Sequence, residues 1–243
     1  MAEEDDVVSD SDTFEFDFGK YTVISLVGKM GSGKTEAIKS LVYAGFKAGI
    51  WKYCVVFCPT KWTGSYDWLP EEARFQFKGK GERVLSIFDK IGKYRAKCAK
   101  EGKTPKMIRG CLILDDCAGL SQRLFYQPRW LSAFVTCRHH GPLDIINAVQ
   151  YFTSLPPAIR NLTTHAILFN TSGYNVVKAL YVNFGGGFRT FDEFREAFMR
   201  MTAEDHSAMI YVAGQKTVED SYFGFRFAMA PPFKLSFKLP VSI

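Results

Sequence analysis

The chain has 243 residues, 47% of them hydrophobic and 23% charged, enough to bury one sizeable α/β core. Its apolar runs fall well short of the ~20 residues that cross a bilayer, and its acidic start is the reverse of a signal peptide, which argues against membrane-spanning and secreted classes. The net charge of +6 is unevenly spread: residues 1–18 hold eight acids and no base, leaving 31 bases against 17 acids and a charge of +14 on residues 19–243. A body that basic points to a polyanionic partner, nucleic acid first. The arm 1–18 reads as a disordered, solubilising segment rather than a competitor for the basic face.

In chain order, YTVISLV (21–27) reads as a buried strand and residues 34–48 as the helix that follows it. Between them lies VGKMGSGKTE (27–36), whose Gly28-x4-Gly33-Lys34-Thr35 spacing fits the loop that wraps a nucleoside triphosphate. The chemistry accounts for the residue types. Gly28, Gly31 and Gly33 let successive N–H groups converge on phosphate oxygens without an obstructing Cβ, and the helix directs its positive dipole end at the same oxygens. Lys34 is expected to reach the β and γ phosphates of ATP, and the Thr35 hydroxyl to hold Mg2+. Lys29, Met30, Ser32 and Glu36 complete the expected nucleotide contact.

Further strands are predicted at 53–57 (YCVVF), 111–114 (CLIL), 145–151 (IINAVQY), 166–169 (AILF), 208–212 and 223–229, and helices at 82–100, 128–138, 174–181 and 191–201. Alternating strands and helices argue for an α/β fold with a mostly parallel sheet and flanking helices. The run CLILDD (111–116) ends in two carboxylates, at the sheet edge where the phosphate loop is also expected. Asp115 is assigned to Mg2+, directly or through water, and Asp116 to orienting and polarising the attacking water. The next strand ends in a polar residue, Gln150.

The segment 89–110 carries eight basic residues and two acids, with Lys90, Lys93, Lys97 and Lys100 on one helix face. Such a face suits double-stranded DNA through its phosphate backbone, without reading sequence. Trp62, Tyr66 and Trp68 in KWTGSYDW (61–68) either stack on adenine or a base or pack on the sheet. The six cysteines have no zinc-like paired spacing and read as reduced thiols. His139 and His140 read as loop residues without metal-binding partners. In FKLSFKL (233–239), strict alternation predicts a half-buried strand, added to the protein's own sheet in preference to a neighbouring subunit or a partner protein. The expected divisions are the arm 1–18, one P-loop domain over 19–230, and a C-terminal strand or tail over 231–243.

A strand lies in sequence between the loop strand and the Asp-Asp strand, and another follows ending in Gln150. That layout resembles the additional-strand, catalytic-acid (RecA-like) division of P-loop ATPases, and the resemblance implies that Gln150 is the sensor of the γ phosphate or the attacking water. The succession GKMGSGKT, VVFCPT, LILDD and CRHHGPLDIINAVQYFTSLPPAIRNLTTHAILF, from about Val23 to Phe169, resembles the FtsK–HerA superfamily. Within it, the chain is similar to the poxvirus-type genome-packaging ATPases of large DNA viruses and virophages. The resemblance implies a homo-oligomeric ring that hydrolyses ATP to drive double-stranded DNA into a capsid, a capsid-protein partner, and a place in the host-cell cytoplasm or with the virion. Asp116 departs from the glutamate that many members carry. Ring ATPases commonly complete each site with a neighbour's arginine, for which Arg138 and Arg160 both qualify. Two other readings stay open: a small-molecule P-loop kinase, and a nucleotide-switched DNA-binding or capsid-assembly protein without motor activity.

Overall fold

The computed structural model describes residues 22–60, 64–119, 125–140, 143–227 and 229–240, with backbone alone for residues 137–140 and 218. The acidic arm and Trp62 lie outside the described residues. Eight strands join in one sheet: β1 (Val23–Val27), β2 (Cys54–Cys58), β3 (Arg74–Gln76), β4 (Gly110–Asp115), β5 (Leu143–Val149), β6 (His165–Phe169), β7 (Ser207–Val212) and β8 (Tyr222–Arg226). Their spatial order is β3-β2-β4-β5-β1-β6-β7-β8. Every pairing from β3 to β6 is parallel, and β7 and β8 continue the sheet antiparallel. The fold is thus α/β with a mostly parallel sheet, as the alternation of elements predicted. β5 stands between β1 and β4, with Val23 paired to Ile145 and Leu112 to the same residue.

The helices are α1 (Lys34–Lys47), α2 (Glu82–Lys100), α3 (Pro128–His140), α4 (Pro157–Arg160), α5 (Tyr174–Phe184), α6 (Phe191–Met201) and α7 (Val218–Ser221). Strands buried on both faces are near-continuous apolar runs, and β1, β2 and β6 have no exposed position. On one face, Val84, Phe88, Trp130, Phe134, Leu180, Phe194 and their neighbours pack α2 to α6 into a single cluster. On α6, Phe194 and Phe198 are fully buried and stacked, 6.1 Å between centroids. α3 runs through His139 and His140, which are helical rather than loop residues.

The other face is covered differently. There α1 packs through Ala37, Ile38, Leu41 and Val42, joined by Tyr66, Trp68 and Leu69 from the loop after β2. The C-terminal segment completes this cover, and here the sequence expectation needs correction. Phe233, Leu235, Phe237 and Leu239 are half-buried and Lys234, Ser236 and Lys238 exposed, as the alternation required, yet the segment is not a strand of the sheet. It lies across α1, with Phe233 5.1 Å from Tyr43 and Phe237 5.7 Å from Phe46, and one backbone bond joins Leu235 N to Trp68 O (2.8 Å). An extended chain puts alternate side chains down on any apolar surface. The surface here is a helix and a loop, which offer no ladder.

At the amino-terminal edge of the parallel strands, Asp144 is fully buried and accepts from Thr22 N (2.7 Å), Trp51 Nε1 (2.5 Å), and Arg109 Nε (2.8 Å) and Nη2 (3.0 Å). A buried carboxylate survives only when so fully bonded. This clamp ties together the entries to β1, β2, β4 and β5, leaving the opposite, carboxyl edge for chemistry.

Candidate nucleotide site

The loop between β1 and α1 is shaped by close packing. Gly28 N donates to Val149 O (3.1 Å), tying the loop to β5. A Cβ on Gly28 would stand 2.5 Å from Ser32 Oγ and 2.8 Å from Phe169 Cβ, so only glycine fits between the loop and β6. Gly33 is left-handed (φ 94) and caps α1 without a side-chain bond, which leaves the first-turn N–H groups of the helix to the loop. Lys34 is only 6% exposed, and its Nζ donates to Gly28 O (2.6 Å) and Lys29 O (2.9 Å). Burial lowers its pKa, while the carboxylates of Asp116 and Asp115 pull the other way. Ser32 Oγ is buried with no partner among the described residues, a hydroxyl that an anion in the loop would satisfy. Lys29, Met30, Gly31 and Glu36 are exposed around the rim, and Thr35 is half-buried.

Both carboxylates arrive from β4. Asp115 ends that strand; Asp116 turns left-handed (φ 51) while its N still donates to Ala148 O of β5 (2.9 Å). Aspartate is among the few residues that tolerate this conformation, and such outliers gather at functional sites. Tyr66, 2% exposed, donates its hydroxyl to Asp115 Oδ2 at 2.7 Å. Desolvation raises the Asp115 pKa; the Tyr66 bond lowers it, the Asp116 charge raises it, and Lys34 lowers it. The same dry pocket pushes the Cys58 thiol up to about 11, through burial first and the Asp115 charge second. Cys54, Cys58, Cys98, Cys111 and Cys117 are all free thiols. Gln150, one residue beyond β5, is exposed at this edge.

The structure therefore brings Lys34, Thr35, Asp115, Asp116 and Gln150 to one edge, around the glycine-rich loop between β1 and α1. The oxygen donors of Thr35 and the aspartates suit Mg2+, which takes one or two carboxylates and completes its shell with water and substrate phosphates. No group of three or more His, Cys, Asp or Glu able to hold a metal by itself occurs among the described residues.

Arg160 is not part of this cluster. Its Nη1 donates to Asn183 Oδ1 (2.6 Å) near the end of α5, and its guanidinium lies over Phe152. Thr163 N bonds Arg160 O, and Thr164 N bonds Val23 O at the start of β1, so Arg160 stands toward the amino-terminal edge. Arg138 lies in the last turn of α3, just ahead of β5 and so toward the same edge; its side chain lies outside the described residues. Both are thus away from their own phosphate loop. Lys90, Lys93, Lys97 and Lys100 are all exposed along α2, opposite its apolar face of Val84, Leu85, Ile87, Phe88 and Ile91. Of the aromatic loop, Tyr66 and Trp68 are buried in the core, which takes them away from stacking on a base.

Sequence reasoning missed two features of the site. Tyr66 as the partner of Asp115 has no local signal, because 49 residues separate them. His206, left-handed (φ 67) between α6 and β7, lies beside the loop: a Cβ on Gly33 would be 3.7 Å from its Nδ1. Among the described residues, no helix is long and apolar enough to cross a membrane.

No protein-family model matches the chain. The uncharacterized protein 075L of Invertebrate iridescent virus 6 is 27% identical over 188 residues, covering 76% of this chain and 68% of that protein. The uncharacterized protein 088R of Invertebrate iridescent virus 3 is 28% identical over 202 residues, covering 81% and 71%. Among solved structures, the genome-packaging NTPase B204 of Sulfolobus turreted icosahedral virus 2, in complex with AMPPCP, superposes with a TM-score of 0.56. The match covers 85% of this chain and 97% of B204 at 15% identity. The pCW3 conjugation coupling protein TcpA with ATPγS gives a TM-score of 0.59 at 12% identity, covering 86% of this chain and 61% of TcpA. The fold is that of these NTPases.

Proposed function

We propose that this chain is an ATP-hydrolysing motor that drives double-stranded DNA into a viral capsid as a ring of identical subunits. The observation that carries the reading is the meeting of Lys34 with Asp115 and Asp116 at the carboxyl edge, in a fold shared with nearly the whole of a genome-packaging NTPase. The matches to iridescent-virus proteins support a viral setting, and thus assembly in the host-cell cytoplasm, with a capsid protein as partner.

In this reading the loop N–H groups and the α1 amino terminus hold the phosphates, and the Lys34 ammonium leaves Gly28 O and Lys29 O for the β and γ oxygens. Thr35 and Asp115 would hold Mg2+, which when bound would neutralise charge on the phosphates. Asp116 orients water for in-line attack and accepts its proton, and Gln150 contacts the γ phosphate or that water. Attack forms one P–O bond to water and breaks the bond to ADP, giving ADP and phosphate. A neighbour's Arg138 or Arg160 supplies charge to the transition state. The exposed lysine face of α2 meets the DNA backbone, where a translocase gains nothing from reading bases.

The decisive experiment is the ATP hydrolysis rate with and without long duplex DNA, with Lys34→Ala as the inactive control. DNA stimulation that Lys34→Ala abolishes is the expected result. Nucleotide binding with negligible stimulated turnover would favour a nucleotide switch, and phosphate transfer to a small acceptor would favour a kinase.

A further inference from the structure

Resting on the assignment of Asp115 to the metal, we propose that Tyr66 is a positioning residue for that carboxylate, held in place by the C-terminal strap of residues 233–239. The hydroxyl of Tyr66 donates to Asp115 Oδ2 at 2.7 Å, which engages one carboxylate oxygen and leaves the other for metal or its water. Ligating carboxylates depend on such outer partners for their orientation.

What makes this more than a satisfied hydroxyl is how Tyr66 is held. It sits on a loop, not on a strand, and is 2% exposed. Its ring lies 5.9 Å from that of Trp68, whose Nε1 bonds Ser65 O (2.9 Å). The strap then fastens Trp68 twice: the Phe233 ring stands 5.3 Å away, and Leu235 N donates to Trp68 O (2.8 Å). The same strap grips α1 through Tyr43 and Phe46. One continuous set of contacts thus links the helix that begins at the phosphate loop with the tyrosine that aims the metal carboxylate. Phosphate loop and carboxylate belong to elements separated by β5 in the sheet, so a brace between them serves a metal that must touch both.

The test is a Mg2+ titration of full-length protein with a fluorescent ATP analogue, comparing wild type, Tyr66→Phe, Phe233→Ala and Asp115→Asn. Tyr66→Phe keeps the ring and loses the donor. It should bind the analogue in EDTA as wild type does, yet need about tenfold more Mg2+ to reach the high-affinity state. Phe233→Ala should raise the Mg2+ midpoint in the same direction, by less, in a protein whose thermal melt stays cooperative. A wild-type midpoint in Tyr66→Phe, with Asp115→Asn shifted, overturns the positioning role while sparing the metal assignment. Equal losses of Tyr66→Phe binding with and without Mg2+ also overturn it, since they mark a structural residue. An unshifted midpoint in Phe233→Ala removes the strap from the proposal. If Asp115→Asn itself titrates as wild type, the metal assignment falls, and the proposal with it.

Discussion

Replacing Gly28 by alanine adds one methyl at the point where the phosphate loop leaves β1. That carbon would lie 2.8 Å from Phe169 Cβ and 2.5 Å from Ser32 Oγ. Carbon atoms in contact settle about 3.5–4.0 Å apart, so the shortfall against Phe169 is roughly 0.7–1.2 Å. Phe169 cannot give way: it is 2% exposed, in β6, and paired to Ala208 of β7. Ser32 can swing its hydroxyl, but its own Cβ stands 3.2 Å from the added methyl. The loop itself must therefore lift by most of an ångström, taking its N–H groups and Lys34 with it. Overpacking of this kind costs about 1–3 kcal/mol, and a misplacement near 1 Å costs on the order of 10²-fold in rate. Urea denaturation should show the stability loss with a cooperative transition retained, and ATP turnover should fall by about two orders of magnitude. A folded Gly28→Ala protein with wild-type turnover would refute the reasoning, because the seat of the loop against β6 would then not govern the chemistry.

The two carboxylates should separate by mutation: Asp116→Asn should bind Mg·ATP and hydrolyse it slowly, whereas Asp115→Asn should lose metal-dependent affinity. Identical binding losses in both would show that the roles are not divided this way. Changing Lys90, Lys93, Lys97 and Lys100 to glutamine should weaken DNA binding and flatten its log–log salt slope by up to about 0.9 for each lost phosphate contact; an unaltered slope would make the lysines a merely solvated face. Asp144→Ala removes a fully buried carboxylate that accepts from Thr22, Trp51 and Arg109 and should cost about 3–5 kcal/mol in denaturant unfolding, with near-wild-type stability arguing that the clamp at the amino-terminal edge is dispensable. For the ring, Arg138→Ala and Arg160→Ala should each be mixed with Lys34→Ala protein, which keeps its arginines but has no working site. Recovered hydrolysis in one mixture identifies the arginine that acts on a neighbour, and no recovery in either, although mixed rings form, ends the case for both.

Much of this protein is written in short-range pattern. The turn between β1 and α1 is legible because its glycines, Lys34 and Thr35 act within one turn of chain, so their spacing alone carries the geometry. The Asp115–Asp116 pair is legible because an apolar run ending in charge can only place that charge at the end of a buried strand. Helical periodicity likewise marked α2 and α6, and the lysines read as one face are exposed along one helix. β3 escaped because three residues hold too little periodicity to announce a strand. In the C-terminal segment, alternation foretold which side chains pack but not the element, since a strand is defined by a partner's free N–H and C=O groups and α1 has none to offer. The partners that finish the site and the sheet meet across the chain: Tyr66 and Asp115 at a separation of 49 residues, Thr22 and Asp144 at 122. Nothing local encodes such pairs. They exist only because the sheet stacks distant strands side by side, and burial then obliges each polar group to find its partner there.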